Sequence, residues 1–228
     1  MIIHQLFDYE TWTYTYLLVN EKTNEAAIID SVQGQFERDK RFINELGVKL
    51  KYSLETHVHA DHITASGKMR EVFGAKTAVH QDSEVQCANI LFKDGDVFEL
   101  GDEKITAVYT PGHTNTCTSY KIDGAVFTGD TLLIGGCGRT DFQSGDAATL
   151  YDSITQKLFT LPDETLVYPG HDYAGFTRST IGFEKLHNAR LGNNNSKENF
   201  IKIMDSLDLP NPKYMDVAVP GNLSCGMS

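Results

Sequence analysis

Thr56-His57-Val58-His59-Ala60-Asp61-His62 is the stretch that decides how this chain is read. Three imidazoles and a carboxylate crowd into one short polar segment. Such a run suits neither a strand, whose inward positions alternate, nor the apolar stripe of a helix. Groups of this kind held so close either share a cation or suffer repulsion and desolvation. Imidazole nitrogen with carboxylate oxygen suits Zn, Fe or Mn, whereas Ca takes oxygen alone.

Three further segments repeat the pattern downstream: Pro111-Gly112-His113-Thr114, Thr128-Gly129-Asp130-Thr131 and Pro169-Gly170-His171-Asp172-Tyr173. Taken singly, His113 or His171 reads as a hydrogen-bonded structural histidine. Taken jointly with the first string, they read as one metal site.

The surrounding text alternates short β-rich runs with amphipathic stretches. Strands are predicted at 14–19, 26–29, 51–56, 76–79, 105–109, 118–122, 125–128 and 165–168. A helix is predicted over 35–46, with Phe36, Phe42, Ile43 and Leu46 on one face and Gly47 as its stop. A second is predicted over 63–73, ending at Gly74. Ala147, Leu150, Tyr151, Ile154 and Leu158 recur at helical spacing and mark a core-facing helix. With no repeat or Pro/Gly-rich linker, the reading is one domain over 1–228, with a short C-terminal extension after about residue 175.

Composition narrows the function classes. The chain has 228 residues, 40% of them apolar, enough to bury a core. Twenty basic against 31 acidic residues give a net charge of −11. That charge repels phosphate backbones and anionic membranes, so neither nucleic acid nor membrane is an expected partner. No run approaches the roughly 18 apolar residues of a membrane helix. Residues 1–10 carry no signal-peptide pattern. Cys87, Cys117, Cys137 and Cys225 are scattered, which predicts four reduced thiols in a reducing, cytoplasmic compartment. For Cys137 a small buried residue is favoured over a redox thiol.

The order HxHxDH, Gly-His, TGD, Gly-His resembles the ligand pattern of the metallo-β-lactamase superfamily. Within it, THVHADHITASG, PGHTNTCTSY, FTGDTLLIGGCGRTDFQSGD, LYDSI, YPGHDYAGFTRST and LDLPNPKYMDVAVPGN are similar to the persulfide dioxygenases. The resemblance runs from near Tyr14 to about Asn222. It implies an α/β fold, the αββα sandwich of two mixed sheets flanked by helices. It further implies one Fe(2+) per chain on His57, His113 and Asp130, with His59, Asp61, His62 and His171 orienting ligands and water. Arg139 and Tyr173 would help hold glutathione. The implied reaction is oxidation of glutathione persulfide by O2 to sulfite and glutathione, in the cytoplasm or, for a processed eukaryotic form, the mitochondrial matrix.

Alternatives stand beside this reading. The same residues spell the complete ligand set of a two-metal hydrolase, and spelling alone favours two zinc ions. The matching rival is a glyoxalase II-like hydrolase of glutathione thioesters, although the stretch after His171 reads as short for the helical domain such enzymes append. A non-enzymatic metal or redox sensor would show an effector segment, and none is visible. Arg139 could equally pair with Asp141 and brace its loop. The assembly state, a homodimer among the options, and the persulfide donor stay open.

Overall fold

The structure, a computed structural model, describes residues 1–227. The chain divides into two compact units, one built from residues 1–93, 97–105 and 211 onward, the other from 94–96 and 106–210.

The first unit carries a six-stranded sheet in sequential order: β1 (Ile2–Asp8), β2 (Thr13–Val19), β3 (Glu25–Ile29), β4 (Lys49–Leu54), β5 (Lys76–His80) and β6 (Ile90–Phe92). β1, β2 and β3 pair antiparallel, and from β3 onward the pairing is parallel. Every residue of β2 is buried, Thr13 and Thr15 included, so the strand is covered on both faces. A parallel step needs a crossover, and α1 (Phe36–Leu46) supplies the one from β3 to β4. Phe36 and Ile43 of α1 pack with Leu17, Ile28 and Met69. Leu46, predicted on the same face, is instead 38% exposed, at the last turn before Gly47.

α2 (Ser66–Phe73) begins three residues later than predicted. Ile63 O accepts from Gln33 N, Thr64 N donates to Asn222 Oδ1, and Ala65 N donates to Ser31 O. The backbone of 63–65 is committed to neighbouring segments, so the helix starts only where those bonds end.

The second sheet runs β12-β11-β10-β9-β8-β7, with β7 (Val97–Leu100), β8 (Glu103–Tyr109), β9 (Thr118–Ile122), β10 (Ala125–Gly129), β11 (Leu166–Pro169) and β12 (Ser179–Thr180). β10 and β11 pair in parallel, and their register shifts between Phe127 and Gly129. α3 (Ala147–Ser153), continued by a π-helical turn over Ile154–Leu158, makes the crossover. Its start is capped by Asp146, whose side chain accepts from Thr149 N at 2.7 Å. Leu150, Ile154 and Leu158 are buried against Val126 and Val167, as their spacing predicts.

Beyond residue 175, where a short extension was expected, lie α4 (Ile181–His187), α5 (Lys197–Asp205) and α6 (Met215–Leu223). Phe200 and Met204 of α5 join the cluster under α3. Two mixed six-stranded sheets and six α-helices match the predicted α/β class. No helix among the described residues is long and apolar enough to cross a membrane.

The expectation of four reduced thiols is corrected. Cys87 and Cys225 form a disulfide, with Cα atoms 6.1 Å apart across 138 residues of sequence. The pairing depends on α6 returning to the first unit, which no local spacing encodes. In the chain-entropy picture a loop of this length stabilises the fold by about 5 kcal/mol. Cys117 and Cys137 lie outside any disulfide and are buried. Burial pushes the Cys137 thiol up to about 11, with Arg190 pulling the other way, so it behaves as a packed apolar residue.

Candidate metal centre

In the first unit, β4 runs into the segment 55–65, which carries four of the predicted site residues. His57, His59 and His62 are buried and Asp61 is half-buried. His57 is oriented by a relay. Thr56 Oγ1 donates to Asp30 Oδ2 at 2.8 Å, so the same hydroxyl accepts from His57 Nδ1 at 2.9 Å. That assignment of the ring proton makes Nε2 the atom offered to a cation. Asp30 also accepts from Thr56 N at 2.8 Å.

His59 turns toward buried carboxylates. Its Nε2 lies 3.1 Å from Asp30 Oδ1 and 3.7 Å from Glu55 Oε2. Burial works against charge on this ring, yet Asp30, Asp61 and Glu55 together hold its pKa up at about 9. Burial and the charge of Asp30 push the Glu55 carboxyl up. His62 Nδ1 donates to Asp61 Oδ2 at 2.9 Å, and Thr13 Oγ1 donates to the same oxygen at 3.2 Å. His59, Asp61 and His62 form one group whose donor atoms could hold an ion, and Asp30, Glu55 and His59 form another.

In the second unit, His113, Asp130 and His171 come together. The register shift at the end of β10 re-aims the chain just before Asp130. His113 Nδ1 donates to Arg139 O at 2.7 Å, which turns Nε2 toward Asp130, 3.7 Å from Oδ2. His171 Nδ1 donates to Asp130 Oδ1 at 2.6 Å. Oδ2 is therefore the oxygen a cation would take. Tyr173 is 66% exposed, its ring parallel to that of His171 with centroids 6.1 Å apart.

Arg139 is committed to partners within its own unit. Nε and Nη2 donate to the two Asp141 oxygens at 2.6 and 2.5 Å, Nη1 donates to Pro210 O at 2.6 Å, and Nη2 also donates to Leu209 O at 3.1 Å. The hydrogen bond from Arg139 holds the Asp141 carboxyl below its ordinary pKa. Because Asp141 is exposed, the ion pair itself contributes under about 1 kcal/mol. The carbonyl bonds add roughly 0.5–1.5 kcal/mol each. Arg139→Ala is expected to cost about 1–3 kcal/mol in urea unfolding, with Asp141→Ala costing less in the same direction. Unchanged stability with a raised KM would show that Arg139 serves the substrate and does not brace the structure.

Three contributors escaped the sequence reading. Asp30 ends the apolar strand β3 with a left-handed φ of 51°, a strained placement typical of functional positions. A carboxylate closing the run Ala-Ala-Ile-Ile was the available signal. Glu55 precedes the histidine string directly and accepts from Thr64 Oγ1 at 2.8 Å. Asn222 of α6 donates to His59 O at 2.8 Å and to His62 O at 2.9 Å. Nothing local in the sequence marks it.

These ligands hang on the strand ends of the metallo-β-lactamase fold, and residues 13–171 match the metallo-beta-lactamase superfamily; the chain belongs to that superfamily. Within it, the chain is 44% identical over 230 residues to "Persulfide dioxygenase ETHE1, mitochondrial" of Mus musculus, spanning 100% of this chain and 89% of that protein. The Homo sapiens protein of the same name gives the same identity and coverage. The crystal structure of ETHE1 from Myxococcus xanthus superposes with a TM-score of 0.96 at 51% identity, over 99% of this chain and 100% of that one.

Proposed function

We propose that this chain is an iron-dependent persulfide dioxygenase, oxidising glutathione persulfide with O2 to sulfite and glutathione. Near-full-length similarity to relatives named persulfide dioxygenase supports the reaction class. His57, His113 and Asp130 are the proposed ligands of one Fe(2+). The donor set fits: two imidazoles and a carboxylate form the triad used by non-haem iron oxygenases, with positions left for substrate and oxygen. When bound, ferrous iron supplies the electrons that dioxygen chemistry requires and that zinc cannot give.

One observation carries the single-metal reading. The second oxygen of Asp130 is taken by His171 Nδ1–H at 2.6 Å, an outer hydrogen bond that orients one ligand instead of a bridge between two cations. His59 likewise faces Asp30 and Glu55. In this reading the chain's own groups mainly orient: the Thr56 relay and the Arg139 carbonyl fix the rings of His57 and His113. Tyr173 offers an exposed ring and hydroxyl to glutathione. Arg139 reaches a substrate carboxylate by exchanging it for Asp141, like for like. The compartment is cytoplasmic, or the mitochondrial matrix in a eukaryotic source.

The His59, Asp61 and His62 group favours a second reading, a two-metal hydrolase of glutathione thioesters. Elemental analysis and two assays on one preparation separate the readings. About one iron per chain and oxygen uptake driven by glutathione persulfide are expected, with little cleavage of a lactoyl-glutathione thioester. Two zinc ions with rapid thioester cleavage and no oxygen uptake would overturn the proposal.

A further inference from the structure

Asn222 is a three-point clamp on the ligand loop. Its Nδ2 donates to the carbonyls of His59 and His62, and its Oδ1 accepts from Thr64 N at 2.8 Å. Asn222 sits near the end of α6, a helix poorly able to support itself. Pro220 lies inside that helix and lacks an N–H. Leu223 at this end packs in a small apolar cluster with Val58, Val79, Val85 and Ala88. The chain beyond Asn222 is tied down in two ways. Gly67 N donates to Cys225 O at 3.0 Å, and Gln33 Nε2 donates to Gly226 O at 2.6 Å. The other tie is covalent, the Cys87–Cys225 bond.

That bond has an approach. Cys87 is half-buried and lines a groove of about 950 Å³, together with Val85, Leu91, Pro220 and Leu223, with Gln81 and Ser224 among its polar groups. Cys225 is 1% exposed and faces the interior. The accessible sulfur is therefore Cys87, and the buried one is the leaving group.

We propose that Cys87–Cys225 is a thiol-exchange site, opened by a small thiol entering this groove, and that opening it loosens the hold of Asn222 on the ligand loop. In the first step a small-molecule thiolate attacks Cys87 Sγ. A new S–S bond forms there, the Cys87–Cys225 bond breaks, and the electron pair leaves on Cys225 Sγ, which takes a proton. A second small thiol attacks the outer sulfur of the mixed disulfide and releases Cys87 as a thiol. The protein gains two electrons, and two small thiols leave as one disulfide. The Leu223 carbonyl oxygen, 3.6 Å from Cys87 Sγ, is placed to accept from that new thiol.

The effect on metal retention rests on the proposed metal centre, while the effect on the loop backbone does not. The test uses the full iron-loaded chain, with reduced glutathione held at a cytosolic redox poise as the probe. Alkylation followed by peptide mass analysis reads the disulfide. Amide hydrogen exchange at Thr64 reads the clamp, and transfer of ferrous iron to a coloured chelator reads retention. Expected are labelling of both Cys87 and Cys225 and Thr64 exchange roughly 10-fold faster, since each hydrogen bond given up is worth about 2–12-fold. Iron release should also be faster. Asn222→Ala should show the fast Thr64 exchange with or without glutathione, and Cys87→Ser should show it in the absence of any reductant. A disulfide that resists glutathione, or a reduced protein with unchanged Thr64 exchange, would overturn the proposal. So would Asn222→Ala protein whose exchange still accelerates on reduction. If persulfide oxidation itself fails, the exchange result at Thr64 stands independently.

Discussion

Asp130→Ala is expected to cost more than 100-fold in iron affinity, the largest loss of any single side chain in the proposed centre. Asp130 is the one anion among the three proposed ligands, and its two oxygens divide the work. Oδ1 accepts from His171 Nδ1 at 2.6 Å, while Oδ2 faces His113 Nε2 across 3.7 Å. Removing the carboxylate deletes a ligand and its charge, and it leaves a buried imidazole without its acceptor. Outer hydrogen-bond partners typically cost ~10–100-fold when lost. His171→Ala belongs in that range, because Asp130 stays in place but loses its orientation. His59→Ala belongs there too, since its ring faces Asp30 and Glu55. His57→Ala and His113→Ala should come next, each losing a ligand but no charge. Competition against a ferrous chelator gives the affinities, and circular dichroism checks that each variant folds. Iron held at parental affinity in Asp130→Ala, but lost in His171→Ala, would exchange the roles of the two residues.

The legible part of this fold was the part written locally. α1 needs only its own apolar spacing and Gly47, and it spans Phe36–Leu46. β2 and β10 read as strands because β-branched and aromatic residues fill them, and both are buried along their length. The unreadable part is held by distant partners. Residues 63–65 run straight into the helical stretch but donate to and accept from Ser31, Gln33 and Asn222, and that displaces the start of α2. β12 has two residues, and β6 has three, too few for any period to register. α5 does carry a local signal that went unread, Ser196 as a cap before Phe200 and Met204 at helical spacing.

The site divides along the same line. Imidazoles and carboxylates of the HxHxDH, Gly-His and TGD strings announce themselves by composition. Their supports do not, because an Asp30 or an Asn222 is chemically ordinary until the fold brings it to a histidine. Arg139 shows the limit of residue type as an argument. An arginine in an acidic chain suits a substrate carboxylate and an internal one alike, and its guanidinium holds Asp141 and two carbonyls of its own chain.

The glycines of the ligand motifs give the largest expected loss of stability. Gly112, just before His113, has φ +136°, a backbone state that side chains rarely adopt, and a Cβ there would sit 2.3 Å from Leu150 Cα. The obstacle is the backbone of α3, which cannot rotate aside. Strain of about 1–3 kcal/mol adds to overpacking of about 1–3 kcal/mol. Gly112→Ala should therefore cost about 2–6 kcal/mol and lower Tm by roughly 5–20 °C for a chain of this size. Gly138 meets a different obstacle. Its added Cβ would lie 2.4 Å from Asp130 O and 2.8 Å from His113 Nδ1. Gly138→Ala should cost only about 1–3 kcal/mol, but it pushes His113 off the Arg139 carbonyl that fixes its ring. The two variants should therefore separate. Gly112→Ala is expected to lose Tm first, whereas Gly138→Ala should keep most of its Tm and lose iron. Calorimetry and metal analysis on the same samples decide it, and Gly138→Ala with parental iron content would show that the His113 ring tolerates the displacement.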